Sequence, residues 1–92
     1  MSKVVLSGYI LVEDDDLQSI LGALPEHIEL TRKEVGCLRF EVSRDAENPN
    51  RFNVEEEFSS RATFEDHQVR SQSSHWGSVS RNIERHYTVK EI

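Results

Sequence analysis

Residues Cys37 to Arg44 and Arg51 to Phe58 each alternate apolar and polar side chains, and the stretch between them, Asp45-Ala46-Glu47-Asn48-Pro49-Asn50, is turn chemistry. A period of two broken by turn formers predicts a β-hairpin with a loop longer than the tight two-residue kind. On its first strand Leu38, Phe40 and Val42 share one face, and Arg39, Glu41 and Ser43 the other. On the second, Phe52, Val54 and Phe58 lie together. What flanks this hairpin then decides the fold.

Upstream, Val4 to Val12 is β-branched, aromatic and aliphatic on both faces apart from Ser7-Gly8, as expected of a central strand. Asp14, Asp15 and Asp16 supply an N-cap and first-turn negative charge for a helix. They lack the alternating oxygens and glycine turn of a calcium loop. Leu17, Ile20, Leu21 and Leu24 fall at i, i+3, i+4 and i+7, one stripe of an amphipathic helix. Pro25 predicts a kink or restart. Ile28 and Val35 would continue the apolar face beside Thr31, and Gly36 would end the helix at its C′ position.

Downstream, Ser59 or Ser60 caps a helix from Arg61 to about Arg70, with Ala62, Phe64 or Glu65, and Val69 toward the core. Ser71-Gln72-Ser73-Ser74 interrupts it, and a helical turn resumes at His75-Trp76 and runs to about Ser80. Ile83 to Lys90 alternates as a last strand, with Ile83, Tyr87 and Val89 on one face. The order β-α-β-β-α-β specifies a ferredoxin-like α+β fold: a four-stranded antiparallel sheet with both helices on one side. One domain is expected over residues 3–90, since a second core does not fit in 92 residues.

The opposite face of that sheet would carry Val5, Tyr9 and Leu11, then Arg39 and Glu41, Asn53, Glu55 and Glu57, and His86 and Thr88. Such a face can simply be wet. An apolar patch at mid-sheet, in a chain only 36% hydrophobic, points instead to cover by a second copy. Arg39 and His86 could then offset the glutamates across the pair.

The net charge is −6, and no basic cluster is longer than Arg32-Lys33, so nucleic acid and anionic membrane are not expected partners. The longest apolar run is far short of a bilayer span. The lone Cys37 cannot close an intrachain disulfide, and Met1-Ser2-Lys3 leads into no secretory h-region. A cytoplasmic protein is the expectation.

No phosphate-binding glycine loop, CxxC, HExxH or nucleophile elbow is present. His27, His67, His75 and His86 fall on different elements without metal-ligand spacing, so zinc is not expected. Cys37 reads as a small buried hydrophobe. Phe40, Phe52, Phe58, Phe64, Trp76 and Tyr87 could wall a pocket between the second helix and the sheet, with His67 and His75 titrating near neutrality. Core packing accounts for Phe40, Phe52 and Phe58 as well. Glu56 shares the parity of Val54 and Phe58 and so points to the apolar side. A carboxylate there needs a partner such as Arg85, or its pKa rises.

In order and spacing, Gly36-Cys37-Leu38-Arg39-Phe40-Glu41-Val42, then Phe52, Glu56 and Phe58, then Ala62, Phe64 and His67 resemble the antibiotic biosynthesis monooxygenase domain. Leu24-Pro25-Glu26-His27-Ile28 is similar to a subgroup described as quinol monooxygenases. The resemblance covers about residues 4 to 90 and implies a homodimeric α+β barrel, two sheets facing each other with helices outside. It also implies oxidation of a small phenol- or quinol-type aromatic substrate by dioxygen without metal, haem or flavin. His67 matches the family's helix-two histidine as base or substrate anchor, with Trp76 and Phe64 lining the pocket. Many members place a second histidine about five residues later, before a phenylalanine, whereas here His75-Trp76 follows at eight. Haem-degrading members rely on a first-strand asparagine that Val4 to Val12 lacks, so haem is not expected. Because a fold hosts many activities, a cofactor-free isomerase of a small carbonyl compound stands as an alternative, as does a non-catalytic binding module.

Overall fold

The computed structural model describes residues 3–92. Strand β1 (Val4–Leu11) leads into helix α1 (Asp14–Arg32), then the hairpin β2 (Cys37–Arg44) and β3 (Arg51–Phe58). Helix α2 (Arg61–Gln72), the short α3 (His75–Val79) and strand β4 (Glu84–Glu91) follow. The strands order β2-β3-β1-β4, every neighbouring pair antiparallel. This is the expected ferredoxin-like α+β sheet, with β1 at the centre between β3 and β4.

Alternation along β1 buries Val4, Leu6 and Ile10 beneath the helices. The register sets Leu6 against Glu56 and Val89, and Ile10 against Phe52 and Arg85. The core is divided. Ile10, Val12, Ile20, Leu24, Phe52 and Ile83 pack at one end. Val4, Leu6, Val54, Phe58 and Phe64 pack at the other.

Helix α1 departs from expectation in four places. Its cap position is Glu13, which makes no side-chain cap, so the three aspartates contribute first-turn charge, and Asp14 also accepts from Asn50 Nδ2 at 2.8 Å. The helix passes through Pro25 without a break. The missing N–H orphans the Leu21 carbonyl, but Leu21 and Pro25 are both exposed, where water can take that bond. The buried stripe is Ile20, Ala23, Leu24, His27 and Thr31, so a histidine occupies a position in the apolar series. The helix ends at Arg32 rather than at Gly36, leaving Val35 88% exposed.

Gly36 serves the following turn. Its φ is +87°, and a Cβ there would lie 2.5 Å from the Thr63 methyl, so the turn packs directly on the first turn of α2. A β-bulge between Cys37 and Arg39 then turns Leu38 outward to 58% exposure, against the simple alternation, while Cys37 packs beside the second cluster.

Helix α2 starts at a capping box in which Ser60 and Thr63 each accept from the other's backbone N–H. Its buried residues are Phe64 and His67. Ala62, Glu65 and Val69, expected toward the core, are exposed, because the helix rests on the sheet along the Phe64–His67 line. No helix among the described residues is long and apolar enough to cross a membrane.

The opposite face carries the expected set. Tyr9 lies between Asn53 and His86 in register, stacks on the His86 ring at 4.7 Å, and has the Arg51 guanidinium 3.8 Å from its ring centroid. Several charges there are matched within the chain: Lys3 and Arg39 both meet Glu57, Arg39 also meets Glu41, and His86 meets Glu84, while Glu55 has no ion-pair partner among the described residues.

Candidate functional site

Between the two halves of the core lies a cavity of about 450 Å³. Leu6, Ile10, Val42 and Val54 form its floor on the sheet, and α2 and α3 roof it with Gln68, Gln72 and Trp76. Phe40, Glu56, His67, Trp76 and Tyr87 are on its wall. Phe52 and Phe64 are not. Each fills one of the core clusters, as Phe58 does. His75 is exposed at the start of α3 and does not line the cavity.

The capping box fixes where α2 begins, and two turns later His67 faces the sheet at 2% exposure. Its ring stacks on Phe58 with centroids 4.9 Å apart. Nδ1 lies 3.0 and 3.1 Å from the two Glu34 carboxylate oxygens, so this nitrogen carries the proton and donates it. Glu34 sits in the turn created by the early end of α1, and also accepts from Arg70 Nε. Arg70 in turn donates to Thr31 Oγ1 at 2.9 Å. This buried chain holds the imidazole in one tautomer with Nε2 as the free acceptor. Burial lowers the His67 pKa, and the Arg70 charge adds to that, against the opposing pull of Glu34.

Nε2 faces Glu56 Oε1 across 3.7 Å, too far for a good hydrogen bond. Glu56 is 6% exposed, and its Oε1 has no hydrogen-bond partner among the described residues. Burial, with the Glu34 charge nearby, raises its pKa to about 7. Arg85, the partner expected for Glu56, is committed elsewhere: it donates to the Ser80 carbonyl at 3.0 Å and to Ser80 Oγ at 3.2 Å. Tyr87, half-exposed on β4, has its hydroxyl pushed up to about 12 by burial and by the Glu56 charge.

His27 was not among the expected site residues. It stacks face to face on Trp76 at 4.7 Å and meets Phe40 edge-on at 5.4 Å. Burial first, then the charges of His67 and Arg70, lower its pKa to about 3, so the ring is neutral. Its Nδ1 is buried without a partner among the described residues. The sequence signal was its spacing, seven residues after Ile20 on the buried stripe. Glu34 and Arg70 offered no comparable signal, because their role depends on where α1 stops.

The arrangement can take a proton at one point and hold it. A hydroxyl against the wall finds an acceptor nitrogen backed by one carboxylate and a second carboxyl poised near neutrality. Among the described residues no group of three His, Cys, Asp or Glu side chains is placed to hold a metal. Burial and the Glu34 and Glu56 charges raise the Cys37 thiol, the wrong direction for a nucleophile.

The sequence profile of antibiotic biosynthesis monooxygenases matches residues 4–78. No curated protein matches the chain's sequence. Among solved structures, a conserved protein of unknown function from Bacteroides thetaiotaomicron is similar at 17% identity and a TM-score of 0.78, over 99% of this chain and 98% of that one. A conserved protein from Methanosarcina mazei Go1 is similar at 21% identity and a TM-score of 0.73, over 98% and 91%. A protein named antibiotic biosynthesis monooxygenase is similar at 23% identity and a TM-score of 0.71, over 100% and 96%. At these identities the likeness establishes the fold.

Proposed function

The chain belongs to the antibiotic biosynthesis monooxygenase family, and on that footing we propose that it is a cofactor-independent monooxygenase of a small phenol- or quinol-type aromatic compound. The observation that carries this reading is the Glu34–His67–Glu56 line, which brings His67 and Glu56 onto the wall of a cavity with an apolar floor. His67 Nε2 takes the phenolic proton, and the imidazolium formed is held between two carboxylates. The phenolate is far more electron-rich than the phenol and can itself reduce dioxygen. Phenol and dioxygen then give quinone and water: the substrate supplies all four electrons, one oxygen atom enters the ring, and the other leaves as water. The protein contributes desolvation, orientation and the base. His67 is thus the catalytic residue, with Phe40, Glu56, Trp76 and Tyr87 binding the substrate.

The working unit in this reading is a homodimer formed through the face bearing Val5, Tyr9 and Leu11. Support comes from half-buried apolar side chains at mid-sheet, flanked by Lys3, Arg39, Glu41 and Glu57, which pair with one another within the chain.

Oxygen uptake with a panel of phenols and quinols, in air and under nitrogen, tests the proposal. It predicts product only in air, at a rate above autoxidation. Equal product under nitrogen contradicts it. A specific observation favours a second reading, a proton-transferring isomerase: His67 Nε2 faces Glu56 across 3.7 Å, an acceptor whose pKa burial lowers beside a carboxyl whose pKa burial raises to about 7. Deuterium exchange from solvent into a carbonyl substrate without oxygen uptake would select it.

A further inference from the structure

The far end of the cavity is cationic. Arg81 and Arg85 both line it, and neither forms an ion pair among the described residues. Arg32 and Arg44 also lack carboxylate partners and bond the Phe40 and Pro49 carbonyls instead, but Arg81 and Arg85 are the pair that the fold brings onto this cavity. Arg85 is also held in place. It donates to the carbonyls of Ser80 and Ile83 and to the Ser80 hydroxyl, and Ser80 is fully buried. Neutral acceptors fix the guanidinium without cancelling its charge, and a guanidinium has five donors, so some remain for a ligand.

The sheet register separates this end from the base. Glu56 lies opposite Leu6 on β1, and Arg85 lies opposite Ile10. Those rungs are four residues apart, roughly 13 Å at about 3.3 Å per residue. Between them the wall is Trp76, Tyr87 and the apolar floor. A ligand that fills the space therefore meets a proton acceptor at one end, flat apolar surface in the middle and fixed positive charge at the other.

We propose that the cavity takes an extended aromatic acid, a phenol whose ring system carries a carboxylate opposite the reacting hydroxyl, with Arg81 and Arg85 holding that carboxylate. The assignment of the reacting end rests on the oxygenase reading above; the assignment of the acidic end rests on the arginines alone. Charge-assisted bonds to guanidinium give both affinity and direction. They orient the ring so that its hydroxyl, and not its carboxylate, reaches His67.

The test is a binding titration with 6-hydroxy-2-naphthoate and with neutral 2-naphthol, by calorimetry and by the indole N–H resonance of Trp76, the chain's one tryptophan. The acid is expected to bind about ten-fold or more tighter at low salt, with the margin shrinking several-fold at high salt. R81Q and R85Q should each reduce the preference while leaving 2-naphthol affinity within about two-fold, and R85K should restore most of it. Should R85Q fail to fold, R81Q, at an arginine that makes no side-chain hydrogen bond among the described residues, and the salt series still decide the matter. Equal affinity for the two compounds in the native protein, or a preference that persists in R81Q and at high salt, overturns the proposal. An intact preference without oxygen uptake supports the acid pocket and counts against the oxygenase reading alone.

Discussion

His67 Nε2 stands 3.7 Å from Glu56 Oε1, and neither atom has a closer polar partner on that side. The gap is wide enough that the pair stays open to a third atom, and both groups face the cavity. A hydroxyl beside the two can give its proton to the nitrogen and have the resulting charge met by the carboxylate.

The pH dependence of turnover follows. His67 is neutral down to below its ordinary value, while Glu56 ionises near 7. The ionised Glu56 stabilises the imidazolium, so kcat/KM should rise with pH through about 7. In E56Q that limb should disappear and any remaining inflection should move below the usual histidine range. A profile for E56Q that overlays the native one would contradict this assignment.

The same carboxyl governs stability with a sign that can be checked. Its folded pKa, about 7, is above its ordinary 4.5, so between these values the folded state holds a proton that the unfolded state has lost. Stability from Glu56 is complete below 4.5 and is lost as pH rises through 7. E56Q should therefore match the native protein at pH 4 and exceed it at pH 8 by on the order of 3 kcal/mol, measured by urea unfolding. His27 acts oppositely: its pKa falls from 6.5 to about 3, so its contribution is present above 6.5 and lost as pH drops. Comparing variant and native protein at one pH removes the His27 effect.

Ser60→Ala breaks the capping box that sets the phase of α2. The cost should be about 1 kcal/mol, seen as a Tm lower by about 5 °C. Because His67 takes its place from that phase, kcat should fall by more than KM changes. An unchanged Tm would show that packing of Phe64 alone starts the helix.

How far the sequence could be read depended on which residues obey period. Strand β3 alternates without interruption, and β1, apolar on both faces apart from Ser7-Gly8, takes the central place that composition implied. Helix α2 has only Phe64 and His67 toward the core, too few to define a stripe, and Ala62 and Val69 were misplaced for that reason. Leu38 followed its parity on paper, but the bulge shifted it by one residue, a backbone event with no side-chain signature. Glu56 was legible as a carboxyl on an apolar face. Its neighbour was not: Arg85 shares the inward parity of β4 but lies opposite Ile10, four residues along β1 from the Glu56 rung, and only the packing of α2 brings His67 to face the carboxyl. Glu34 was hidden by the stop of α1 at Arg32, where Gly36 had suggested a later end.

The sheet face bearing Val5, Tyr9 and Leu11 should be closed by a second copy. Sedimentation equilibrium is expected to give twice the 10.6 kDa chain mass, and Leu11→Asp should return it to the single value. A native protein that stays at chain mass at high concentration would contradict the pairing.

The central claim is that His67 initiates the transfer of one oxygen atom from dioxygen to a phenol. The measurement that meets it most directly is turnover of the best panel substrate under ¹⁸O₂, with mass analysis of the product, for the native protein and H67Q. The account predicts one labelled oxygen in the product and a rate in H67Q lower by about 10²–10⁴, with substrate affinity retained. Unlabelled product, or an H67Q rate equal to native, would contradict it.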